Sequence, residues 1–125
     1  MPDADRSEQR RVVDAFLAAS REGDFDGLLA LLDPDVVLRA DEATVHLGST
    51  RETRGAAAVA GTFKGRARFA RLALLEGAVG AISAPGGTPR VAFTFTVVDG
   101  RIAAIDVTAD PEQLRRLDVL PLDGR

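Results

Sequence analysis

Val91-Ala92-Phe93-Thr94-Phe95-Thr96-Val97-Val98-Asp99-Gly100-Arg101-Ile102-Ala103-Ala104-Ile105-Asp106-Val107-Thr108 is the stretch on which the fold turns. Two strand-like runs flank Asp99-Gly100, a dipeptide preferred by two-residue type I′ hairpin turns. A simple hairpin pairs Val98 with Arg101, Val97 with Ile102, Phe95 with Ala104 and Phe93 with Asp106. Side chains alternate along a strand. One face therefore collects Val91, Phe93, Phe95, Val97, Ile102, Ala104, Asp106 and Thr108. It is the richer in aromatic and large apolar groups and is expected to be covered. Asp106 falls on it, and a carboxylate there must be hydrogen-bonded or working in a pocket.

Working outward, residues 7–22 place Val12, Val13, Phe16 and Leu17 at helical spacing, with Arg10, Arg11, Asp14 and Arg21 on the back. Asp5 is positioned to cap this helix, with Glu8 three residues on, and Gly23 to end it. Asp24 caps a second helix over 25–32, which Asp33-Pro34 stops. Residues 36–41 read as a strand. Residues 42–54 read as a loop with a short strand at 44–47. A third helix covers 55–65, weakened by Gly61 at a cost of about 1 kcal/mol against alanine. Strands follow at 67–75 and 79–84, joined at Gly77. The loop 85–89 leads into the hairpin. Asp110-Pro111 opens a last short helix reaching 117. Helices gathered before consecutive strands define an α+β fold with a curved antiparallel sheet wrapped around the N-terminal helices. The chain reads as a single domain, 1–125, with flexible tails at 1–6 and 118–125.

Composition narrows the function classes. The net charge of −3 is unlike a nucleic-acid surface, despite a local basic run of Lys64, Arg66, Arg68 and Arg71. There is no cysteine, which excludes disulfides and thiol chemistry and fits a cytoplasmic protein. No apolar run is long enough to span a membrane. One histidine, His46, cannot assemble a metal site without cysteines, and it reads as a solvated loop residue. No glycine-rich turn leads from a strand into a helix, so no phosphate-binding loop is expected. No cofactor is called for.

The order of elements and several stretches resemble the SnoaL-like group of the nuclear-transport-factor-2-like superfamily. More narrowly, they are similar to the C-terminal extension of actinobacterial extracytoplasmic-function sigma factors. The stretches are Val12-Val13-Asp14-Ala15-Phe16-Leu17-Ala18-Ala19-Ser20-Arg21-Glu22-Gly23-Asp24-Phe25 and onward to Leu38-Arg39-Ala40-Asp41, then Arg54-Gly55-Ala56, Phe95-Thr96-Val97-Val98-Asp99-Gly100-Arg101-Ile102 and Ile105-Asp106-Val107 of the hairpin, and Asp110-Pro111-Glu112-Gln113-Leu114-Arg115-Arg116-Leu117. The chain departs from that subgroup twice. Asp41-Glu42-Ala43-Thr44-Val45-His46 stands where a glycine-rich segment is usual, and Asp110-Pro111-Glu112-Gln113-Leu114 replaces an Asn-Pro-Asp-Lys-Leu motif.

The resemblance implies a cone with an internal cavity and a regulatory or ligand-sensing role without catalysis. Its implied partners are sigma-factor core domains or RNA polymerase, within a longer chain, and a small apolar ligand. Direct nucleic-acid binding is not implied, and a second copy of the chain is a candidate partner. The alternative it implies is a free-standing isomerase or cyclase, with Asp41 or Asp106 as general base. Against that stands the absence of tyrosine, the enolate-stabilising donor of ketosteroid-isomerase-like sites. The candidate pocket residues are Phe16, Arg39, Phe63, Phe93, Phe95 and Asp106, with Phe69 joining the phenylalanines of the core. Each has a plainer reading. The phenylalanines suit simple core packing, Asp41 an exposed strand end, and Asp106 a pairing with Arg39, the favoured outcome.

Overall fold

Asp99 and Gly100 both adopt positive φ, +53° and +76°, as a type I′ turn requires. They join β5 (Val91–Val98) to β6 (Arg101–Thr108). The computed structural model describes residues 6–65 and 70–122. Asp5, Arg66, Arg68 and Phe69 lie outside these, and with them the expected cap of the first helix and much of the basic run.

The register next to the turn is the expected one: Val98 faces Arg101 and Val97 faces Ile102. It then slips. Thr96 faces Ala104, Phe95 faces Ile105, Thr94 faces Asp106 and Phe93 faces Val107. Ala103 is the extra residue of a β-bulge. The reason lies in the side chains. Strict alternation would bury Ile102, Ala104 and Asp106 and expose Ile105 and Val107. With the bulge Ile102, Ile105 and Val107 are all buried, and Asp106 turns to the opposite face. Each large aliphatic side chain so buried contributes about 1.5–3 kcal/mol, and no carboxylate is stranded in the core. The expected placement of Asp106 on the covered face is therefore corrected.

The N-terminal helices form as their apolar spacing dictates. α1 (Arg6–Glu22) buries Val12, Val13, Phe16, Leu17, Ala19 and Ser20. α2 (Phe25–Leu31) starts at Asp24, whose side chain accepts a hydrogen bond from the Gly27 amide. β1 (Leu32–Ala40) begins earlier than expected and takes in Asp33-Pro34. Pro34 has no amide hydrogen to give a ladder, and pairing with β6 is irregular between Leu32 and Val37. The Asp33 carboxylate accepts from the Asp35 amide across this bend.

The segment 42–54 is not mainly loop. It contains α3 (Glu42–His46), where a short strand is expected, and β2 (Glu52–Arg54). α4 (Ala56–Phe63) follows and buries Val59, Ala60 and Phe63. β3 (Ala70–Leu75) and β4 (Ala78–Ser83) make the expected hairpin. α5 (Pro111–Arg116) starts at Asp110, whose carboxylate accepts from the Glu112 amide. The expected C-terminal tail instead supplies β7 (Val119–Pro121), antiparallel to β3.

Among the described residues the strands form one open sheet in the order β2-β1-β6-β5-β4-β3-β7. Its pairings are antiparallel except β1 with β6, which is parallel. α1 lies against β3, β4 and β5 on one face. On the other face Leu114 of α5 packs with Ala73, Leu75, Ile82 and Ala92 in a second apolar cluster. Both edge strands are three residues long. β2 carries charged side chains and β7 ends in proline, features that discourage edge-to-edge pairing.

Candidate functional site

A cavity of ≈ 650 Å³ opens between α3, α4 and the strands β1, β5 and β6. Alternation along the strands supplies its apolar wall: Leu38 and Ala40 from β1, Val91 and Phe93 from β5, Val107 from β6. Phe63, Ala58, Gly61 and Thr62 of α4 form the facing side. Thr44 and the segment Leu47-Gly48-Ser49-Thr50, with Thr53, complete the rim. Among the described lining residues none is ionisable.

The phenylalanines run from the core to this cavity. Phe16 meets Phe63 edge-on at 5.1 Å and Phe95 at 5.6 Å, and Phe63 meets Phe93 at 6.0 Å. Such T-shaped contacts contribute beyond area burial. Phe63 and Phe93 line the cavity, while Phe16 and Phe95 stand behind them in the core. Ser20, which the periodicity of α1 places on its buried face, donates its hydroxyl to the Phe63 carbonyl at 2.6 Å and so ties the end of α4 to α1.

Arg39 and Asp106 do not reach the cavity. Their strands are neighbours in register, and both side chains project from the opposite face of the sheet. The guanidinium is bidentate on the carboxylate: Nε to Oδ1 at 2.9 Å, Nη2 to Oδ2 at 3.2 Å. The favoured pairing is thus present, in solvent, with the side chains 55% and 43% exposed. An exposed pair contributes about 0.2–1 kcal/mol. A double-mutant cycle on Arg39→Ala and Asp106→Asn, read by urea denaturation, is expected to return a coupling in that range that shrinks in molar salt. A coupling of several kcal/mol would contradict the exposed placement.

Asp41 is neither an idle strand end nor a free base. It caps α3: Oδ1 accepts from the Thr44 amide at 2.8 Å and the Thr44 hydroxyl at 2.6 Å. Its other oxygen, Oδ2, accepts from the amides of Ala109 and Asp110 at 3.0 and 3.1 Å. Burial pushes the carboxyl up, but these four hydrogen bonds outweigh it and hold its pKa below the ordinary aspartate value. That direction is opposite to the one a general base near neutrality needs. His46 is the last residue of α3 and is exposed. No three metal-ligating side chains come together among the described residues.

The periodicities reach the phenylalanines but miss most of the cavity wall. Leu38 could be found from alternation, since it neighbours the exposed Arg39. The rim could not, because α3 and β2 are too short to announce themselves.

A curved, open, mostly antiparallel sheet wrapped on N-terminal helices, with a cavity beneath α4, is the cone of the NTF2-like fold. Solved structures agree. The chain is similar to the extracytoplasmic-function sigma factor SigJ of Mycobacterium tuberculosis, with 28% identity and a TM-score of 0.66. That match covers 85% of this chain and 43% of the sigma factor, so the chain spans less than half of that relative's length. An NTF2-like protein of Burkholderia xenovorans matches at 20% identity and TM-score 0.57, covering 90% of this chain and 96% of its own. An LEH-like epoxide hydrolase of M. tuberculosis matches at 25% identity and TM-score 0.53, covering 89% of each chain. No family model matches the sequence, and no curated protein matches it. No helix among the described residues is long and apolar enough to cross a membrane.

Proposed function

We propose that this chain is a regulatory, ligand-binding domain of the sigma-factor type that modulates transcription initiation without catalysis. The observation that carries the reading is the cavity, which has a substantial volume yet no described ionisable residue in its wall. Acid–base catalysis needs a proton donor or acceptor within hydrogen-bond reach of the reacting atom. The two carboxylates the isomerase reading would use are engaged elsewhere, Asp41 in four hydrogen bonds and Asp106 with Arg39 on the outer face. The similarity to a sigma factor supplies the partner class: sigma core domains, or RNA polymerase through them.

The test is run-off transcription by core RNA polymerase supplied with the natural polypeptide that contains these residues, compared with the same polypeptide lacking them. A change of several-fold in transcript yield is expected. Unchanged yield, or a natural polypeptide with no sigma core, would overturn the reading.

A further inference from the structure

Two short helices meet at one side chain. α3 is five residues long and α5 six, and helices of that length do not persist in water on their own. α3 packs against β1 and β6 on the cavity side of the sheet, where its Thr44 lines the cavity. α5 lies on the opposite face, where Leu114 seats in the second apolar cluster. The outward side chains of α5, Glu112, Gln113, Arg115 and Arg116, are exposed.

The Asp41 carboxylate spans the two helices. Oδ1 faces α3 and takes the amide and hydroxyl of the buried Thr44. Oδ2 faces the chain entering α5 and takes the Ala109 and Asp110 amides. Asp110 in turn caps α5 by accepting from the Glu112 amide. The backbone strengthens the joint, since the Asp41 amide donates to the carbonyl of Val107, a cavity-wall residue, at 3.0 Å. Both oxygens belong to one planar group. Oδ1 therefore cannot follow a moving α3 without drawing Oδ2 off the two amides. Segments whose hydrogen bonds break together open as one unit.

We propose that α3 and α5 form a single opening unit joined through Asp41, so that displacement of α3 at the cavity rim loosens α5 on the far face of the sheet. Asp41 is the positioning residue of this device. The proposal deepens the regulatory reading, on which the use of the device rests: an event at the cavity gains a route to the outer surface of α5. The coupling runs equally in both directions, as linkage between two sites requires.

The experiment is native-state amide hydrogen exchange on the 125-residue protein, followed by NMR. The reporters are the Val45 and Leu47 amides for α3 and the Leu114 and Leu117 amides for α5. Ala43→Gly weakens α3 and is expected to speed exchange about fivefold at Leu114 and Leu117 as well as in α3 itself. Asp110→Ala removes the α5 cap and is expected to speed Val45 and Leu47 by about the same factor. Ala58→Gly weakens α4, on the same cavity wall, and is expected to leave α3 and α5 within about twofold of wild type. Asp41→Ser keeps a capping hydroxyl for α3 but has no second oxygen for the α5 side, so it is expected to abolish the transfer in both directions. Acceleration confined to the substituted helix, equal acceleration by Ala58→Gly, or transfer that survives Asp41→Ser would each overturn the proposal. The first two comparisons decide it if Asp41→Ser folds poorly. Transfer between the helices with unchanged run-off transcription would instead overturn only the regulatory reading.

Discussion

Asp41→Asn is expected to lower the unfolding free energy by about 2–4 kcal/mol in urea denaturation at neutral pH. The carboxylate accepts from the Thr44 hydroxyl and from the amides of Thr44, Ala109 and Asp110. An amide keeps one acceptor and turns its NH2 either at Thr44 or at the Ala109 and Asp110 amides, leaving donors facing a donor. The substitution thus removes a helix cap and unties the end of β6 from the end of β1 in one step. The pH dependence has a definite sign. The folded carboxyl has a depressed pKa, so its stabilisation is present above the ordinary aspartate value and fades as pH falls toward the folded one. The gap between wild type and Asp41→Asn should therefore be constant from about pH 7 to 5 and narrow toward pH 3. A gap that widens on acidification would show the carboxyl to be destabilising in the fold.

Phe16→Ala is expected to cost about 3–5 kcal/mol. The ring is fully buried and makes edge-on contacts with both Phe63 and Phe95. Its removal opens a void beneath α1 and leaves Phe63 without its support from behind. Phe16→Leu, which keeps most of the volume, is expected to cost under about half as much. Equal losses for the two would mean that shape, not volume, sets the cost at this position.

The elements with strong local chemistry are legible in the residues. Asp99-Gly100, the apolar spacing of α1, the Asp24 cap and the Asp110-Pro111 helix start each act within a few positions of themselves, and each is present in the fold. The bulge at Ala103 also leaves a trace. Ile102, Ile105 and Val107 cannot share a face by strict alternation, and an aspartate between the last two argues for a slip. What local chemistry does not carry is partnership over distance. β1 pairs in parallel with β6, and β7 joins the far edge through three residues. α3 is five residues long and owes its existence to a carboxylate also held by amides 68 and 69 positions away. The cavity inherits this difficulty, because its rim is built from those short elements, while its hydrocarbon floor follows from alternation.

The parallel pairing bears on how the polypeptide matures. Arg39 and Asp106 are 67 positions apart, and their strands are adjacent. While the chain leaves the ribosome, β1 has only the three-residue β2 beside it until β6 has emerged. The apolar residues of α1 are made well before the sheet they cover is complete. Closure of the fold is therefore a late, long-range event, of the kind that slows folding and leaves hydrocarbon bare to chaperones in the interval.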